Sequence, residues 1–260
     1  MHIRHFGNIS GRPLLLLHGF LESGEVWFPW VEETFSDYSL FIPDLPGHGL
    51  SEPWGETKIL SDWAEYLMVW IRERQLTDEP IFIMGHSMGG YLALEMAALF
   101  PKLSGRMILF NSTPLPDTPE QLNRRMKQID IIKKGRSRLL TRNVGPAMFA
   151  PENRKKLYAM GQLLNATARN CPPAGMLNAL KAIMNRRNFI PLCSERQQDV
   201  LLFTGDKDPF MNKDYIRLIN AKFPELNHRH LEACGHAPFL EQPHSTGKIC
   251  RDFFTSSEQG

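Results

Sequence analysis

The chain has 260 residues, with 30 basic against 28 acidic residues and 42% hydrophobic content. This length and composition fit one large α/β domain with an ample core and room for a smaller insertion. No apolar run approaches the length of a membrane-spanning helix, the first residues lack the apolar stretch of a signal peptide, and the four cysteines show no metal-ligand spacing. These features exclude a membrane span, and they predict a reduced, cytoplasmic protein.

Two strands are predicted near the N-terminus, at residues 3–6 and 14–17. The second is a continuous apolar run, which is typical of a strand buried on both faces of a parallel sheet. It ends in His18-Gly19-Phe20, where the glycine lets the backbone bend close to a ligand. The backbone N–H of Phe20 is therefore a candidate donor to an oxyanion, and the alternative is an ordinary strand-to-loop turn.

A helix over residues 26–35 and a strand over 40–43 are predicted next, followed by the loop 44–51. Asp44 and His48 in this loop could be catalytic, but we expect them to brace a tight turn, with Asp44 capping backbone N–H groups. An amphipathic helix is predicted over residues 59–75, because its apolar residues recur at helical spacing. Its aromatic side chains are expected in the core.

The most informative stretch spans residues 81–99. Four apolar residues run directly into Gly85-His86-Ser87-Met88-Gly89, and a helix-favouring apolar run follows at once. A strand that turns sharply into a helix at a serine is a nucleophile elbow. Glycines flank the turn because a Cβ there would collide with the facing strand or helix. The turn presents the Ser87 hydroxyl at the top of the sheet, near the positive end of the following helix.

A strand over 107–110 precedes a different kind of segment. Residues 114–190 contain no strand signal and 15 basic against 4 acidic residues, whereas the rest of the chain has 15 basic and 24 acidic residues. Helical pieces are predicted at 120–134, 136–141, 151–167 and 173–185. We therefore expect residues 114–190 to form an inserted helical cap, and residues 1–113 and 191–260 to form the core domain.

Strands and helices alternate again after the insertion, with strands at 200–205 and 228–232 and helices at 213–221 and 247–254. Such alternation predicts an α/β fold with a mostly parallel, doubly wound sheet covered by helices on both faces.

A serine hydroxyl needs a base to accept its proton and a carboxylate to orient that base. In sheets of this kind, groups that meet at a site lie at the carboxyl ends of the strands. After Ser87, one such loop carries Asp206 and Asp208, and His236 follows the last predicted strand. The residues alone leave both aspartates open. Three other downstream histidines lie inside the last strand or in the closing segment: His228, His230 and His244.

The order Ser…Asp…His on this topology resembles the α/β-hydrolase superfamily, in its serine esterase-like branch with a helical cap. The resemblance covers essentially the whole chain. It includes the motifs His-Gly-Phe at 18–20, Asp-x-x-Gly-His-Gly-x-Ser at 44–51, Gly-His-Ser-Met-Gly-Gly at 85–90, Gly-x-x-Asp at 205–208 and Gly-His at 235–236.

The resemblance implies that Ser87 is the nucleophile, His236 the general base and Asp208, rather than Asp206, the acid. It also implies that the backbone N–H groups of Phe20 and Met88 form the oxyanion hole.

Two neighbours of the catalytic motifs are expected to be structural. The side chain of His86 should point away from the substrate and pack in the core. Cys234 should be buried filler beside the Gly-His motif.

The reaction implied is hydrolysis of a small carboxylic ester or related acyl compound through an acyl-enzyme, with no cofactor and no metal. The alternatives are a carbon–carbon bond hydrolase, a lyase like the menaquinone-pathway synthase, or a ligand receptor with slow turnover. That synthase places an arginine soon after the elbow, where this chain has Tyr91.

The positive charge of the predicted cap leaves anionic substrates open, with four arginines as candidates to bind a carboxylate or an acyl-CoA phosphate: Arg124, Arg125, Arg186 and Arg187. The alternatives, which we favour, are a solvated helix face or attraction to the acidic core domain. Nucleic acid is not expected as a partner, because no binding module accompanies the charge.

Overall fold

The computed structural model describes residues 1–55, 59–74, 76, 79–211 and 213–256. The strands within these residues form one seven-stranded sheet. The strands lie in the order β1-β3-β2-β4-β5-β6-β7. Only β1 is antiparallel to its neighbour, β3, and every other neighbouring pair is parallel. The strands are β1 (Ile3–Gly7), β2 (Pro13–Leu17), β3 (Ser39–Pro43), β4 (Ile81–His86), β5 (Ser104–Phe110), β6 (Val200–Gly205) and β7 (Asn227–Leu231).

Helices cover both faces of the sheet, which confirms the predicted doubly wound α/β class. Alternate residues of β2 show why its apolar run is continuous: Leu15 and Leu17 join one hydrophobic cluster, and Leu14 and Leu16 join another. The first cluster includes α2 (Leu60–Glu73), α3 (Met88–Leu99) and α10 (Lys213–Lys222). The second includes α1 (Phe28–Thr34), α11 (Pro238–Glu241) and α12 (Pro243–Thr255).

Between β5 and β6 the chain is helical, and residues 114–190, all of which are described, contain no strand. We call this segment the inserted helical region. Its helices are α4 (Pro119–Lys133), α5 (Arg138–Thr141), α6 (Val144–Met148), α7 (Tyr158–Asn170) and α8 (Pro173–Met184), and α9 (Ile190–Glu195) begins at its last residue.

The structure differs from the predicted helices at several points. The segment predicted as one helix over 151–167 is a 3₁₀ turn at Pro151–Asn153 followed by α7, which begins only at Tyr158. Helix α6 was not predicted, because Gly145 and Pro146 are both helix breakers in sequence. Pro146 is tolerated there because the N–H groups of a first helical turn have no intrahelical partner.

Helix ends were also imperfectly predicted. The helix predicted over 59–75 spans Leu60–Glu73 in the structure, and Gln75 lies outside the described residues. At its start, the Ile59 N–H donates to the Asp62 carboxylate at 2.8 Å. The closing helix begins at Pro243, four residues before the predicted start. Helix α11, a single turn, was not predicted.

Candidate active site

The turn between β4 and α3 holds Ser87 in an unusual backbone conformation, with φ 49° and ψ −112°. This region is sparsely populated by residues other than glycine, so the surrounding structure must enforce it. A Cβ on Gly85 would meet the backbone of Gly90, and one on Gly89 would meet the Leu17 carbonyl oxygen. The predicted reason for both glycines is confirmed, because each allows a close approach at the turn.

The close approach at Gly89 also brings the start of α3 against the end of β2. The two segments carry the backbone N–H groups of Met88 and Phe20. Met88 is the first residue of α3, and Phe20 lies in the loop after β2 and lines the same cavity as Ser87. No hydrogen bond joins either amide to an acceptor within the described residues. Met88 lies at the N-terminal end of α3, where the helix favours negative charge.

His236 and Asp208 meet at the carboxyl edge of the sheet, where His236 Nδ1 lies 2.8 Å from Asp208 Oδ2. Asp208 also accepts hydrogen bonds from the Phe210 N–H, at 2.7 Å, and from the Asn111 side-chain amide. Burial alone would raise the pKa of Asp208, but the charge and hydrogen bond of His236, together with the hydrogen bonds from Asn111 and Phe210, outweigh it, and the pKa is lowered. An ionised carboxylate only accepts, so the proton of this hydrogen bond belongs to His236 Nδ1.

Asp206 has a different role in the same loop. Its carboxylate accepts the Cys234 N–H at 3.1 Å and pairs with Lys207 at 2.9 Å. It therefore braces the loop that carries His236 without touching the histidine side chain. Cys234 is buried with a free thiol, as the sequence predicted.

Asn111, which sequence reasoning missed, connects the two loops of this site. It follows β5 directly, has a φ of 45°, and donates to both Asp208 and the Gly235 carbonyl oxygen, the latter at 3.1 Å. A polar residue with left-handed tolerance immediately after a buried strand was the available signal.

A buried pair of charged groups lies behind His236. His86 Nδ1 is 2.9 Å from the Glu22 carboxylate, and its Nε2 is 2.8 Å from the His236 carbonyl oxygen. Both partners are acceptors, so both ring nitrogens donate and His86 is an imidazolium. Burial would lower the pKa of His86, but the charge and hydrogen bond of Glu22, together with the His236 carbonyl and the Asp208 charge, outweigh it and the pKa is raised. Glu22 also accepts the Gly19 N–H at 2.6 Å.

This arrangement confirms that His86 points into the core, and it adds a role that the sequence did not reveal. Glu22 was not among the predicted residues. Its signal was weak, because nothing in the sequence indicates that a glutamate two residues after Phe20 would lie 2.9 Å from a histidine of the elbow.

The loop after β3 is braced as predicted. Asp44 caps two backbone N–H groups, those of Gly24 at 2.8 Å and Leu50 at 2.9 Å, and pairs with Arg4 at 2.9 Å. His48 is buried, its Nδ1 lies 3.1 Å from the Pro46 carbonyl oxygen, and burial lowers its pKa to about 3. Neither residue is placed to exchange protons with a substrate.

Ser87 and His236 line one cavity of about 270 Å³ between the sheet edge and the inserted helical region. The Phe210 ring stands edge-on to the imidazole of His236, with 4.6 Å between ring centroids. The inserted helical region also holds the histidine loop directly, because the His236 N–H donates to the Met148 carbonyl oxygen at 2.7 Å.

Three of the four candidate arginines are already paired. Arg125 and Arg186 share the buried carboxylate of Asp117, at 2.7 and 2.9 Å. Arg187 pairs with Glu95 of α3 at 2.7 Å, which supports the expected attraction between the insertion and the acidic core.

The fourth, Arg124, lies at the cavity and has no ion pair or hydrogen bond within the described residues.

Among the described residues, no three His, Cys, Asp or Glu side chains converge as they would around a metal ion. Within the same residues, no helix combines the length and apolar character needed to cross a membrane.

The chain is similar to known proteins over almost its entire length. A family model described as alpha/beta hydrolase fold matches residues 12–243. A pimeloyl-[acyl-carrier protein] methyl ester esterase of Xanthomonas oryzae pv. oryzae (strain MAFF 311018) is 25% identical, covering 98% of this chain and 99% of the relative. A Bacillus subtilis (strain 168) protein, provisionally named a 2-succinyl-6-hydroxy-2,4-cyclohexadiene-1-carboxylate synthase, is also 25% identical, covering 96% and 93%.

Among solved structures, a thermophilic esterase of Thermogutta terrifontis matches with a TM-score of 0.85 at 21% identity, covering 98% of this chain and 93% of that one. This likeness shows the fold, and it agrees with the fold class predicted from the sequence.

Proposed function

Because this chain belongs to the α/β hydrolase family, we propose that it hydrolyses a small carboxylic ester with a triad of Ser87, His236 and Asp208. The observation that carries the proposal is the 2.8 Å hydrogen bond between His236 and Asp208, at the edge of a cavity that Ser87 also lines. The esterase relatives support an enzyme of the hydrolase class. The coverage of almost the entire chain supports extending that class to this protein.

The first half of the proposed reaction forms an acyl-enzyme. The hydrogen bond from His236 Nδ1 to Asp208 leaves Nε2 as the basic nitrogen. His236 Nε2 accepts the hydroxyl proton while Ser87 Oγ attacks the ester carbonyl carbon. His236 then gives that proton to the alkoxy oxygen, the carbon–oxygen bond breaks, and the alcohol leaves.

In the second half, water attacks the acyl-enzyme with His236 again as base, and the acid is released. The oxyanion of both tetrahedral intermediates is assigned to the N–H groups of Phe20 and Met88. Each such donor contributes ~3–4 kcal/mol to transition-state stabilisation in related chemistry. The position of Met88 at the start of α3 adds the favourable field of the helix end.

The inserted helical region is proposed as a cap over this chemistry, with residues 114–190 as the cap and residues 1–113 and 191–260 as the core. Its contact with the histidine loop, through Met148, supports a role in shaping the site. A cap that excludes water strengthens the electrostatic interactions inside the cavity.

The test is hydrolysis of p-nitrophenyl esters from acetyl to octanoyl by wild type, Ser87→Ala and Ser36→Ala, the last being an exposed serine outside the cavity. We expect activity in wild type and Ser36→Ala and none above background in Ser87→Ala. The preferred chain length would then size the acyl site. Residual activity of Ser87→Ala equal to wild type would refute the proposed nucleophile.

A second candidate is a lyase or carbon–carbon hydrolase on the same triad, and the Bacillus subtilis relative favours it. One further observation supports it: Arg186 lies 4.3 Å from the ring of Tyr91, so a cation reaches the first turn of α3 although the sequence has no arginine there. A folded wild type that lacks esterase activity but forms the product in that relative's name would favour the second candidate over the first.

A further inference from the structure

The two walls of the cavity differ in chemistry. The wall from α5 and α6 is mostly apolar, and its lining residues include Leu139, Leu140, Val144, Ala147 and Met148. Helix α4 instead presents polar side chains at positions i, i+3, i+4 and i+7, which share one helix face. These residues are Gln121, Arg124, Arg125 and Gln128.

The charge of the α4 wall is not neutralised by its neighbours. Arg125 makes a two-nitrogen contact with Asp117, at 2.7 and 3.0 Å, but the same carboxylate is shared with Arg186. These three groups carry one excess positive charge, and Arg124 adds a second without any partner in the described part of the chain.

Glu22 is the one acidic residue among those that line the cavity. Its carboxylate is already paired with His86 and with the Gly19 N–H. The positive charge of α4 therefore faces a cavity with no free carboxylate among its described lining residues. A ligand that supplies a carboxylate would satisfy the guanidinium geometry.

The positively charged wall of α4 is separated from Ser87, the proposed nucleophile. Tyr91 lines the cavity four residues after Ser87, which on a helix corresponds to about 6 Å along the axis. Arg186 reaches the Tyr91 ring, and Arg125 shares Asp117 with it. An anionic group beside these arginines is thus several atoms away from a carbonyl carbon at Ser87.

We propose that the preferred substrate is an acidic half-ester, a dicarboxylic acid esterified at one end, whose free carboxylate binds Arg124 and Arg125. This inference rests on the proposed esterase function and specifies its substrate class. The methylene chain lies along the apolar wall of α5 and α6. Water adds across the ester carbon–oxygen bond, and an alcohol, a dicarboxylate and a proton are released.

The test compares monomethyl adipate with methyl hexanoate, which has the same acyl length but a methyl group in place of the free carboxylate. Wild type should favour monomethyl adipate in kcat/KM, and added salt should reduce that preference by screening. Arg124→Gln should lower kcat/KM for monomethyl adipate about five-fold, mainly through KM, because the contact is remote from the reacting carbonyl. The loss for methyl hexanoate should be smaller than that for monomethyl adipate, because methyl hexanoate has no carboxylate to contact Arg124.

Arg124→Lys retains the charge and should keep most of the preference. Arg169→Gln removes an exposed arginine of α7 that does not line the cavity, and it should behave like wild type. Equal use of both esters by wild type, or an equal response to Arg124→Gln and Arg169→Gln, would overturn the inference while leaving the esterase proposal intact.

A binding measurement separates the two proposals if no hydrolysis is seen. Calorimetric titration of the Ser87→Ala variant with monomethyl adipate should detect binding that Arg124→Gln in the same background weakens about five-fold. Absence of ester hydrolysis together with this binding would reject the esterase and retain the carboxylate site. Absence of selective binding would reject the carboxylate site.

Discussion

The two sides of the cavity are built on opposite principles. On the sheet side, the ionisable groups around Ser87 have partners: Asp208 receives three hydrogen bonds, and Glu22 is paired with His86. On the α4 side, two arginines share the carboxylate of Asp117 and Arg124 is unpaired in the described structure. The charged groups of the sheet side are paired, whereas the helical side carries excess positive charge.

Under the proposed function, the two sides have different tasks. Groups that stabilise a transition state are effective when they are held in place beforehand, since reorganisation during the reaction weakens them. Groups that recognise a substrate must leave hydrogen-bonding capacity for it. The comparison therefore predicts large catalytic effects from the sheet side and selective effects from the helical side.

The largest effect should come from Asp208→Asn, which removes the carboxylate that orients His236. Loss of the orienting carboxylate reduces kcat by about 10⁴-fold in Ser-His-Asp enzymes. The measurement is kcat on a p-nitrophenyl ester. Asp206→Asn is the matched control two residues away, and it should retain activity, because Asp206 contacts Cys234 and Lys207 instead. Similar losses in the two variants would contradict the assignment of the acid.

The aspartates also show how much of the candidate site could be predicted from the sequence. Strand ends and chain order brought Ser87 and His236 to one edge, because parallel strands end together. The choice between Asp206 and Asp208 needed side-chain direction within one loop, which no periodicity encodes. Asn111 and Glu22 were not predicted, because their hydrogen-bond partners, Asp208 and His86 respectively, lie far away in the chain.

The fold was more predictable than the site, but the strands were predicted better than the helices of the inserted helical region. The five central strands were found because buried parallel strands are short apolar runs, whereas the edge strands β1 and β7 are more exposed and less apolar. In the inserted helical region, α6 and the break before α7 were missed, because helix starts there depend on packing against the core more than on local signals. The Met148 carbonyl of α6, for example, accepts a hydrogen bond from the distant His236.

The next effect on the sheet side is structural. Glu22→Gln should destabilise the fold by ~3–5 kcal/mol, because breaking a buried ion pair leaves one group without its partner. Urea unfolding with linear extrapolation measures this. Glu32→Gln, an exposed change on α1, is the control and should be neutral. A Glu22→Gln variant as stable as the control would show that the pair contributes nothing.

The pH dependence of that loss follows from both partners. The pKa of Glu22 is lowered, so its contribution is present above the unfolded value of 4.5 and is lost as pH falls through the folded pKa. The pKa of His86 is raised, so its contribution is full below 6.5 and is lost as pH rises through the folded pKa. The wild-type advantage over Glu22→Gln should therefore be largest between pH 4.5 and 6.5.

On the helical side, Asp117→Asn removes the carboxylate shared by Arg125 and Arg186. We expect a loss of ~3 kcal/mol in the free energy of unfolding, because two largely buried cations then face each other without a counterion. The pKa of Asp117 is lowered despite burial, so this contribution should vanish as pH falls below 3.8 and through the folded pKa. Unfolding at pH 7 and pH 3 checks both statements, and an unchanged difference between the two would contradict the pairing.

The smallest effect should come from Asp130→Asn, a chemically identical change on the same helix. Asp130 pairs with Lys134 at 2.7 Å, one turn along α4, but both side chains are more than half exposed, at 60% and 62%. Exposed pairs at this spacing contribute only ~0.3–0.5 kcal/mol, because water and salt compete with the contact. Urea unfolding should place this variant close to wild type and well above Asp117→Asn. If the two variants lost equal stability, burial would not be what distinguishes the Asp117 cluster from an ordinary surface ion pair, and the excess charge facing the cavity would lose its structural basis.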